Sequence, residues 1–340
     1  MSSAEPSIPQ DLSQTERVSC NICGSTATQP VPQKLNFSLV QCLRCGLVYT
    51  NPRAFHKKED DYSKGATIEI GGQIKTDIAS LYSDILYNLG NRVLVGKLLD
   101  VGCALGHFMA FAKRYGWEVE GVERSPYAEC AAQNVGAKVH GTVLLKDARL
   151  TQDFYHACVL VEVVEHLADP RETIEEVWRL LQPGGMVFLT TSNFASYRSL
   201  LLREEWDPAI PAGTLYYGNL YYFDSVTLEN LLSSAGFINV ENLSSRDDEL
   251  TSGGLVMCAR KPWDSTYRPS PAFKRSFAGR LVRRPGETPE DQKVYYVENG
   301  RKRWVTTADW IIAKGMAWPG DLQFITAEEL DAILTGPPLP

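Results

Sequence analysis

Two groups of residues in this sequence have the types and spacing to do chemistry. One is a glycine-rich turn, Asp100-Val101-Gly102-Cys103-Ala104-Leu105-Gly106, which follows the apolar run Lys97–Val101 and precedes the helical stretch Phe108–Tyr115. Glycine lets backbone approach a ligand at a helix N-terminus without side-chain obstruction. The spacing differs from the G-x-G-x-x-G pattern of dinucleotide sites, so the turn predicts a nucleotide-like ligand that lacks a pyrophosphate.

Four cysteines form the second group, as the knuckles Cys20-x-x-Cys23-Gly24 and Cys42-x-x-Cys45-Gly46, eighteen residues apart. Four thiolates in tetrahedral geometry suit Zn²⁺, with iron as the competing metal. All four positions on the ion are filled, so the predicted metal is structural and holds a ribbon over 19–50 that is too small to fold on its own core. Four scattered cysteines are predicted to be small buried hydrophobes: Cys103, Cys130, Cys158 and Cys258.

Short apolar segments alternate with helical ones after residue 96, which predicts an α/β domain whose parallel sheet is covered on both faces. Asp224 or Ser225 is expected to cap a later helix that Gly236 ends. The predicted parallel strands are Lys97–Val101, Trp117–Val122, Lys138–His140, His156–Val161 and Met186–Thr191, with two more strands at Asn239–Leu243 and Gly254–Arg260.

With these elements in place, the chain resembles the class I S-adenosylmethionine (SAM)-dependent methyltransferases, whose D-x-G-x-x-x-G turn wraps the methionine end of SAM. Glu123, which ends the second strand, matches the acid that binds both ribose hydroxyls in that family. The segment 161–170, VEVVEHLADP, is similar to the E-H-x-x-D-P segment of a subfamily that includes ubiquinone-pathway enzymes. Further matches at 181–185 and 222–237 bring the resemblance to residues 97–259, in the expected order.

The resemblance implies a Rossmann-like sheet, methyltransferase activity and a SAM site. Two positions depart from the family pattern, because Ala104 replaces a common Gly and Asn219 stands where relatives often have His. The SAM-binding residues that it implies are Asp100, Gly102, Cys103, Ala104, Gly106, His107, Phe108, Glu123, Arg124, Val161 and Glu162.

Methyl transfer from a sulfonium needs in-line alignment and, for a hydroxyl or carbon acid, removal of a proton. His166 is the first candidate for the base and Glu165 the second, because their segment leaves the carboxyl end of the fourth strand. The alternative is that this pair only caps the following helix or braces the SAM loop. The pocket-lining candidates are Tyr62, His107, Tyr217, Asn219 and Tyr222, beside an aromatic stretch, Trp206–Phe223, that is either an acceptor cap or a hydrophobic brace.

Methyltransferases that act on nucleotide-linked deoxysugars look similar in carrying an N-terminal four-cysteine ribbon, and this resemblance covers 19–259. The sequence therefore predicts methyl transfer to a small-molecule or sugar acceptor, nucleotide-linked or part of a glycan, at O or C. Two alternatives stay open. One is an RNA methyltransferase that grips phosphates with the ribbon and the basic segment 260–303, and the other is a catalytically silent SAM-binding protein with interaction modules.

The remaining segments are predicted from composition: disorder over 1–18, a helical lid or connector over 51–96, a Pro- and Arg-rich linker over 261–290, and a hairpin–helix module over 291–340. Three tryptophans of the last module, Trp304, Trp310 and Trp318, build a small core or recognise a carbohydrate. The net charge of −7 argues against nucleic acid as the main partner, despite twelve Lys and Arg against five Asp and Glu between Arg260 and Arg303. With no apolar run of about 18 residues and no basic leader, a cytoplasmic protein is expected.

Overall fold

The computed structural model of the chain describes residues 15–31, 38–54, 76–142, 144–194, 219–244, 254–264, 266, 276–277, 280–298, 301–314, 316 and 322–339. Several predictions lie outside these residues: Tyr62, Tyr217, Trp318, the turn Asn299-Gly300 and most of the aromatic stretch Trp206–Phe223. Among the helices of the described ranges, none is both long enough and apolar enough to cross a bilayer.

The N-terminal part of the chain contributes strands to two small antiparallel sheets. Its strands are β1 (Thr15–Glu16), β2 (Thr28–Pro30), β3 (Leu39–Cys42), β4 (Val48–Thr50) and β5 (Arg53–Ala54). β1 pairs with β5, while β2, β3 and β4 pair in sequence. The prediction of disorder up to residue 18 is thus wrong for β1, because Thr15 pairs with Ala54 and Glu16 with Arg53.

Helices and strands then alternate as the sequence predicts. The helices are α1 (Thr76–Gly90), α2 (His107–Arg114), α3 (Tyr127–Val135), α4 (Pro170–Leu180) and α5 (Ser225–Ser234). The strands are β6 (Lys97–Val101), β7 (Glu118–Glu123), β8 (Val139–Gly141), β9 (Tyr155–Val161), β10 (Leu181–Ser192), β11 (Tyr221–Tyr222), β12 (Ile238–Asn242) and β13 (Gly254–Arg260).

Seven of these strands form one sheet in the order β12-β13-β10-β9-β6-β7-β8. The five from β8 to β10 are parallel, and β13 runs antiparallel to both of its neighbours, which confirms the predicted Rossmann-like α/β fold. β10 begins earlier than predicted, because Leu181 already pairs with Tyr155. The strand register then shifts between Leu181 and Met186, and Gly184 within this stretch has a φ of 79°.

Alternating side chains cover the two faces of this sheet. Leu99 of β6 packs on the face covered by α4, α5 and the ribbon, while its neighbour Leu98 packs on the face covered by α1 and α2. Cys103, Cys158 and Cys258 are buried as predicted. Cys130 is exposed, so that prediction is wrong, because α3 buries Ala131 and Val135 instead.

A separate five-stranded sheet follows, in the order β17-β14-β15-β16-β18. It contains β14 (Leu281–Arg283), β15 (Tyr295–Glu298), β16 (Arg301–Trp304), β17 (Leu322–Phe324) and β18 (Leu334–Thr335), with helices α6 (Ala308–Ala313) and α7 (Ala327–Ala332). The interpretation of 261–290 as a linker is wrong for β14, which lies within this sheet between β15 and β17. A three-residue strand beside prolines is too short to show periodicity.

Candidate functional site

The glycine-rich turn lies at the carboxyl end of β6, the edge at which parallel α/β sheets bind ligands. Gly102 and Gly106 have φ values of 79° and 81°, which side-chain-bearing residues rarely adopt. A Cβ on Gly102 would lie 2.6 Å from Val163 Cγ2, and one on Gly106 would lie 2.7 Å from Val135 Cγ2. Both glycines are therefore needed for backbone conformation and for close packing.

Glu123, at the end of β7, braces this turn. Its Oε2 accepts a hydrogen bond from the Ala104 N–H at 2.8 Å, and its Oε1 accepts one from the Ser125 N–H at 2.7 Å. A carboxylate has about four lone-pair sites, so two remain for further donors such as vicinal hydroxyls. The acid that the sequence singled out thus lies against the turn.

Asp100 lies behind the turn, 2% exposed. Burial, together with the nearby Glu123 carboxylate, raises the pKa of Asp100 to about 8. In the ligand-free protein this carboxyl is therefore largely neutral at pH 7. A cation bound beside it would favour its charged form.

The other predicted SAM residues divide by side-chain environment. Phe108 and Cys103 are buried in the core, with Phe108 edge-on to Tyr82 at 5.2 Å, so only their backbone can contact a ligand. Ala104 and Arg124 are exposed at the turn. Half-buried His107 begins α2. Val161 ends β9, which lies beside β6 in the sheet, and exposed Glu162 follows it.

Two carboxyl groups follow β9. Glu162 has a φ of 54° and its Oε1 accepts a hydrogen bond from Thr190 Oγ1 at 2.8 Å. The surrounding protein and the Glu165 carboxyl raise the pKa of Glu162 to about 7. Glu165 is 2% exposed, and burial raises its pKa too. Both carboxyl groups thus have a pKa above the usual range of a glutamate.

Unpartnered polar atoms lie on Glu165 and on two residues of neighbouring segments. Within the part of the chain that the structure describes, Glu165 Oε2, Thr191 Oγ1 and Asn219 Oδ1 are buried without a hydrogen-bond partner. The backbone brings their segments together, because Leu220 N–H donates to Glu165 O at 2.9 Å and Thr191 lies next to the last residue of β10, the neighbour of β9. Buried polar atoms are nearly always paired, so water molecules or a ligand are expected to complete this group.

Sequence reasoning anticipated Asn219 but missed Thr190 and Thr191. A usable signal was present, since two threonines follow the apolar run Met186–Leu189 close to the end of β10, at the ligand-binding edge. His166, the first candidate for a base, lies at the end of the short turn Val164–His166 and is half-buried, whereas the second candidate, Glu165, lies among the unpartnered atoms.

The four ribbon cysteines form the second centre. Their Sγ atoms all lie within 4.8 Å of one another, with Cys20–Cys45 and Cys23–Cys42 each at 3.5 Å. A tetrahedral ion with bonds of about 2.3 Å requires sulfur–sulfur distances of about 3.8 Å. The two knuckles repeat one turn, in which the Gly24 and Gly46 N–H groups donate to Cys20 O and Cys42 O. The donor set and its spacing fit Zn²⁺.

The ribbon is joined directly to the carboxylate site. β11 adds to the ribbon sheet beside β4, with Tyr221 opposite Tyr49 and Tyr222 opposite Val48. Thr50 N–H donates to Leu220 O at 3.0 Å, and Thr50 Oγ1 donates to Asn219 O at 3.3 Å. The strand that carries Asn219 and Leu220 to Glu165 is therefore held by the ribbon.

Comparison with known proteins identifies proteins to which this chain is similar. A family model described as a methyltransferase domain matches residues 73–242. A ubiquinone biosynthesis O-methyltransferase of Chelativorans sp. is 32% identical over 150 residues, covering 42% of this chain and 58% of that protein. The Vibrio cholerae enzyme of the same name is 29% identical over 176 residues, covering 48% and 71%.

The chain spans about half to three-fifths of the length of three ubiquinone biosynthesis O-methyltransferases that it matches. Among solved structures, an S-adenosylmethionine-dependent methyltransferase from Mesorhizobium loti superposes with a TM-score of 0.40 at 17% identity. The superposition covers 52% of this chain and 96% of that one.

Proposed function

The chain belongs to the methyltransferase-domain family, and on that premise we propose that it transfers a methyl group from SAM to a small-molecule acceptor. The observation that carries the proposal is the position of the glycine-rich turn, braced by Glu123, on the strand next to the unpartnered polar group around Glu165. One side has the features of a cofactor site, and the other has the features of a site for a hydroxyl-bearing ligand.

On the cofactor side, we assign the predicted residues by their environment. The backbone of 102–106 and the free lone pairs of Glu123 would hold SAM, which supplies an electrophilic methyl group. Asp100 would become charged beside the ammonium group of the bound cofactor, since an adjacent cation lowers the pKa of a carboxyl. Phe108 and Cys103 would support the turn from the core.

On the acceptor side, we assign Glu165 as the base. Its unpartnered Oε2 can accept the proton of an acceptor hydroxyl, and its raised pKa strengthens it as a base. Asn219 and Thr191 would bind other polar atoms of the acceptor, whose several hydroxyls or oxygens would fill the group. This fits a sugar or another oxygen-rich small molecule, methylated at O or C.

For the ribbon, we propose a structural Zn²⁺ held by Cys20, Cys23, Cys42 and Cys45. Thiolate ligands fill the whole tetrahedron, so the ion takes no part in the reaction itself. Its contribution is to hold β4, and through β4 the strand that carries Asn219.

Calorimetric titration of the zinc-loaded chain with SAM and S-adenosylhomocysteine tests the cofactor assignment. We expect saturable binding of both, and a folded protein that binds neither overturns the proposal. Screening with isotopically labelled SAM against nucleotide-sugars and quinone precursors then tests turnover by mass spectrometry. Tight SAM binding with no labelled product from any acceptor class, RNA included, favours a catalytically silent protein.

Once an acceptor is found, two variants separate the candidate bases. Glu165→Gln is expected to lower kcat by about 10²–10⁴-fold while the SAM affinity stays within threefold. His166→Ala is expected to have the smaller effect on kcat, and the reverse order would make His166 the base. Glu175→Gln, on the exposed side of α4, serves as the matched control and should leave both quantities unchanged.

A further inference from the structure

The C-terminal unit consists of the five-stranded sheet β17-β14-β15-β16-β18 with α6 and α7, and its contacts begin before β14, at Phe277. Phe277 is buried in a cluster of this unit together with Val282 of β14. The backbone of Arg280 joins the sheet as well, because the Val297 N–H donates to Arg280 O at 3.0 Å. The residues just before β14 are therefore part of the unit.

The unit contacts the ribbon at the second cysteine knuckle, residues 42–46. The N–H of Ser276, next to Phe277, donates to Cys45 O at 3.2 Å. Arg280 Nη2 donates to Oε1 of Gln41, the residue that precedes the knuckle. Ser276, Arg280 and Gln41 are all buried, so the contact is an interface between two parts of the chain.

Gly46, the last residue of this knuckle, is packed directly against Ser276. A Cβ on Gly46 would lie 2.7 Å from Ser276 O and 2.8 Å from Ser276 Cβ, so the interface needs a glycine here. Gly24 occupies the same position in the first knuckle, with a φ of 71° against 86° for Gly46. A Cβ on Gly24 would meet no heavy atom of the described residues within 4 Å. The two knuckles thus share one turn, but the second is shaped to receive Ser276.

The same segment also contacts the end of the acceptor half. Ser276 Oγ donates to Oδ2 of Asp224, a buried residue that caps α5. Asp224 follows shortly after β11, the strand that pairs with β4 of the ribbon. The ribbon is therefore in contact with both the segment 219–222 and the C-terminal unit.

The two sides of this interface differ in what keeps them folded. The ribbon is too small to fold on its own core, so its knuckle turns depend on the metal. The C-terminal unit encloses two buried clusters of its own, one around Tyr296 and Ile311 and the other around Phe277 and Val282. Charge adds to the difference, because four thiolates around a divalent ion form a negative centre that attracts the buried guanidinium of Arg280, whereas four protonated thiols do not.

We propose that the second knuckle is a metal-dependent latch for the C-terminal unit. The loaded ribbon holds the unit through Ser276 and Arg280, and loss of the metal releases the unit as a folded body. The proposal rests on the structural zinc site proposed above, and it goes beyond methyl transfer because it does not depend on SAM or on the acceptor. It gives the ribbon a second partner within the chain, beside β11.

Substitution of the two knuckle glycines tests the docking surface. Gly46→Ala places a methyl group against Ser276, whereas Gly24→Ala, the matched control, carries the same left-handed strain in open space. In hydrogen exchange of the zinc-loaded full chain, we expect peptides covering 276–281 to exchange at least about tenfold faster in Gly46→Ala and within about twofold of wild type in Gly24→Ala. Zinc content and circular dichroism establish that both variants are loaded and folded. Equal exchange in the two variants overturns the proposal.

A second pair of variants tests the latch from the side of the unit. Arg280→Gln removes the charge that contacts Gln41, whereas Arg283→Gln, three residues later, removes hydrogen bonds to carbonyls within the unit, Arg284 O and Gly286 O. We expect exchange at 276–281 to accelerate about tenfold in Arg280→Gln, for the loss of one charge-assisted contact, and to change less than about twofold in Arg283→Gln. The reverse order contradicts the assignment of Arg280.

Chelation tests the dependence on metal. After zinc is removed from the wild-type full chain, as verified by metal analysis, we expect exchange at 276–281 to accelerate about a hundredfold while β15 and β16 keep their protection within about threefold. Small-angle X-ray scattering should then give a larger radius of gyration. Protection that persists at 276–281 in metal-free protein, or that falls equally throughout the unit, overturns the latch.

Metal content and SAM titration of the same samples keep the proposals distinguishable. Stoichiometric zinc with wild-type exchange in Gly46→Ala contradicts only the latch. A folded chain that takes up no zinc contradicts the zinc site and, with it, the metal dependence of the latch. A loaded chain that releases the unit on chelation but does not bind SAM contradicts only the methyltransferase assignment.

Discussion

The two halves of the candidate site differ in how their polar groups are held. On the cofactor half, Glu123 is paired with backbone N–H groups of its own neighbourhood, Ala104 and Ser125. On the acceptor half, Glu165 and Asn219 keep unpartnered atoms, and their support comes from the ribbon, more than a hundred residues away in sequence.

This contrast separates a half whose polar groups are fixed by local backbone from a half whose polar groups depend on a distant segment. A site whose donors and acceptors are already fixed by local backbone is preorganised, so ligand binding requires little rearrangement. A site with buried unpaired atoms carries a free-energy cost until a ligand arrives, and the cost must be met by the surrounding fold. In this protein the ribbon is the part of the fold that holds the segment 219–222 in place.

Removal of the ribbon metal is expected to have the largest effect of the changes considered. It should disturb the acceptor half and leave the cofactor half nearly unchanged. Metal binding of this kind contributes about 10–16 kcal/mol to the folding of isolated zinc-binding peptides, so a chelated ribbon should lose β4. We expect amide protection around Tyr221–Tyr222 to fall about a hundredfold by hydrogen exchange, while the SAM affinity changes less than threefold.

Two controls accompany this experiment. Cys42→Ser should reproduce the effect of chelation, whereas Cys130→Ser, at the exposed cysteine of α3, should not. If SAM affinity falls in parallel with protection at β11, the two halves are one cooperative unit and the comparison fails.

Glu123→Gln should have the next largest effect, confined to the cofactor half. Loss of the charge at two charge-assisted hydrogen bonds is expected to weaken SAM binding by about 10–100-fold in calorimetry. Protection of Tyr221–Tyr222 should not change. The control is Glu118→Gln at the opposite end of β7, where the side chain is largely exposed and pairs with Lys97. An equal loss in this control would mean that net charge, and not the brace, sets the affinity.

The pH dependence of stability provides a third test of the cofactor half. The pKa of Asp100 is raised to about 8 in the folded chain against about 4 when unfolded, so between these values the folded state binds more protons. Stability from this group is therefore greatest at low pH and is lost as the pH rises through about 8, with a limiting slope of about 1.4 kcal/mol per pH unit.

Urea unfolding of the ligand-free, metal-loaded chain between pH 6 and 8 measures this effect. Asp100→Asn should flatten the decline, and Asp84→Asn on the exposed face of α1 should not. A decline that is identical in wild type and Asp100→Asn would assign the pH dependence to another group.

Thr50→Val should have the smallest effect. It tests how β4 holds the segment that carries Asn219 in the acceptor half. It removes the hydrogen bond from Thr50 Oγ1 to Asn219 O, worth about 0.5–1.5 kcal/mol, and keeps the strand pairing. Hydrogen exchange should accelerate at 219–222 and nowhere in the glycine-rich turn. Thr28→Val, on β2 away from β11, is the control, and unchanged exchange in Thr50→Val would show that β4 holds β11 by backbone contacts alone.

The cofactor half could be predicted because its signals are local. The turn 100–106, the acid ending the next strand and the two cysteine knuckles each occupy a few consecutive residues, and the parallel sheet brings the first two together. The pairing of β4 with β11 joins residues about 170 positions apart, and no spacing in the sequence indicates it. The strand β14 was missed because three residues carry no readable period.

The long separation between β4 and β11 along the chain has a consequence during protein synthesis. The ribbon emerges from the ribosome before β11, and the strand that completes its sheet follows only after about 170 more residues. Ser276, whose N–H donates to Cys45 O, comes later still. At typical translation rates β4 remains an uncovered sheet edge for about ten to thirty seconds, and open edges pair readily with other chains. The nascent ribbon is therefore open to mispairing until β11 has been made.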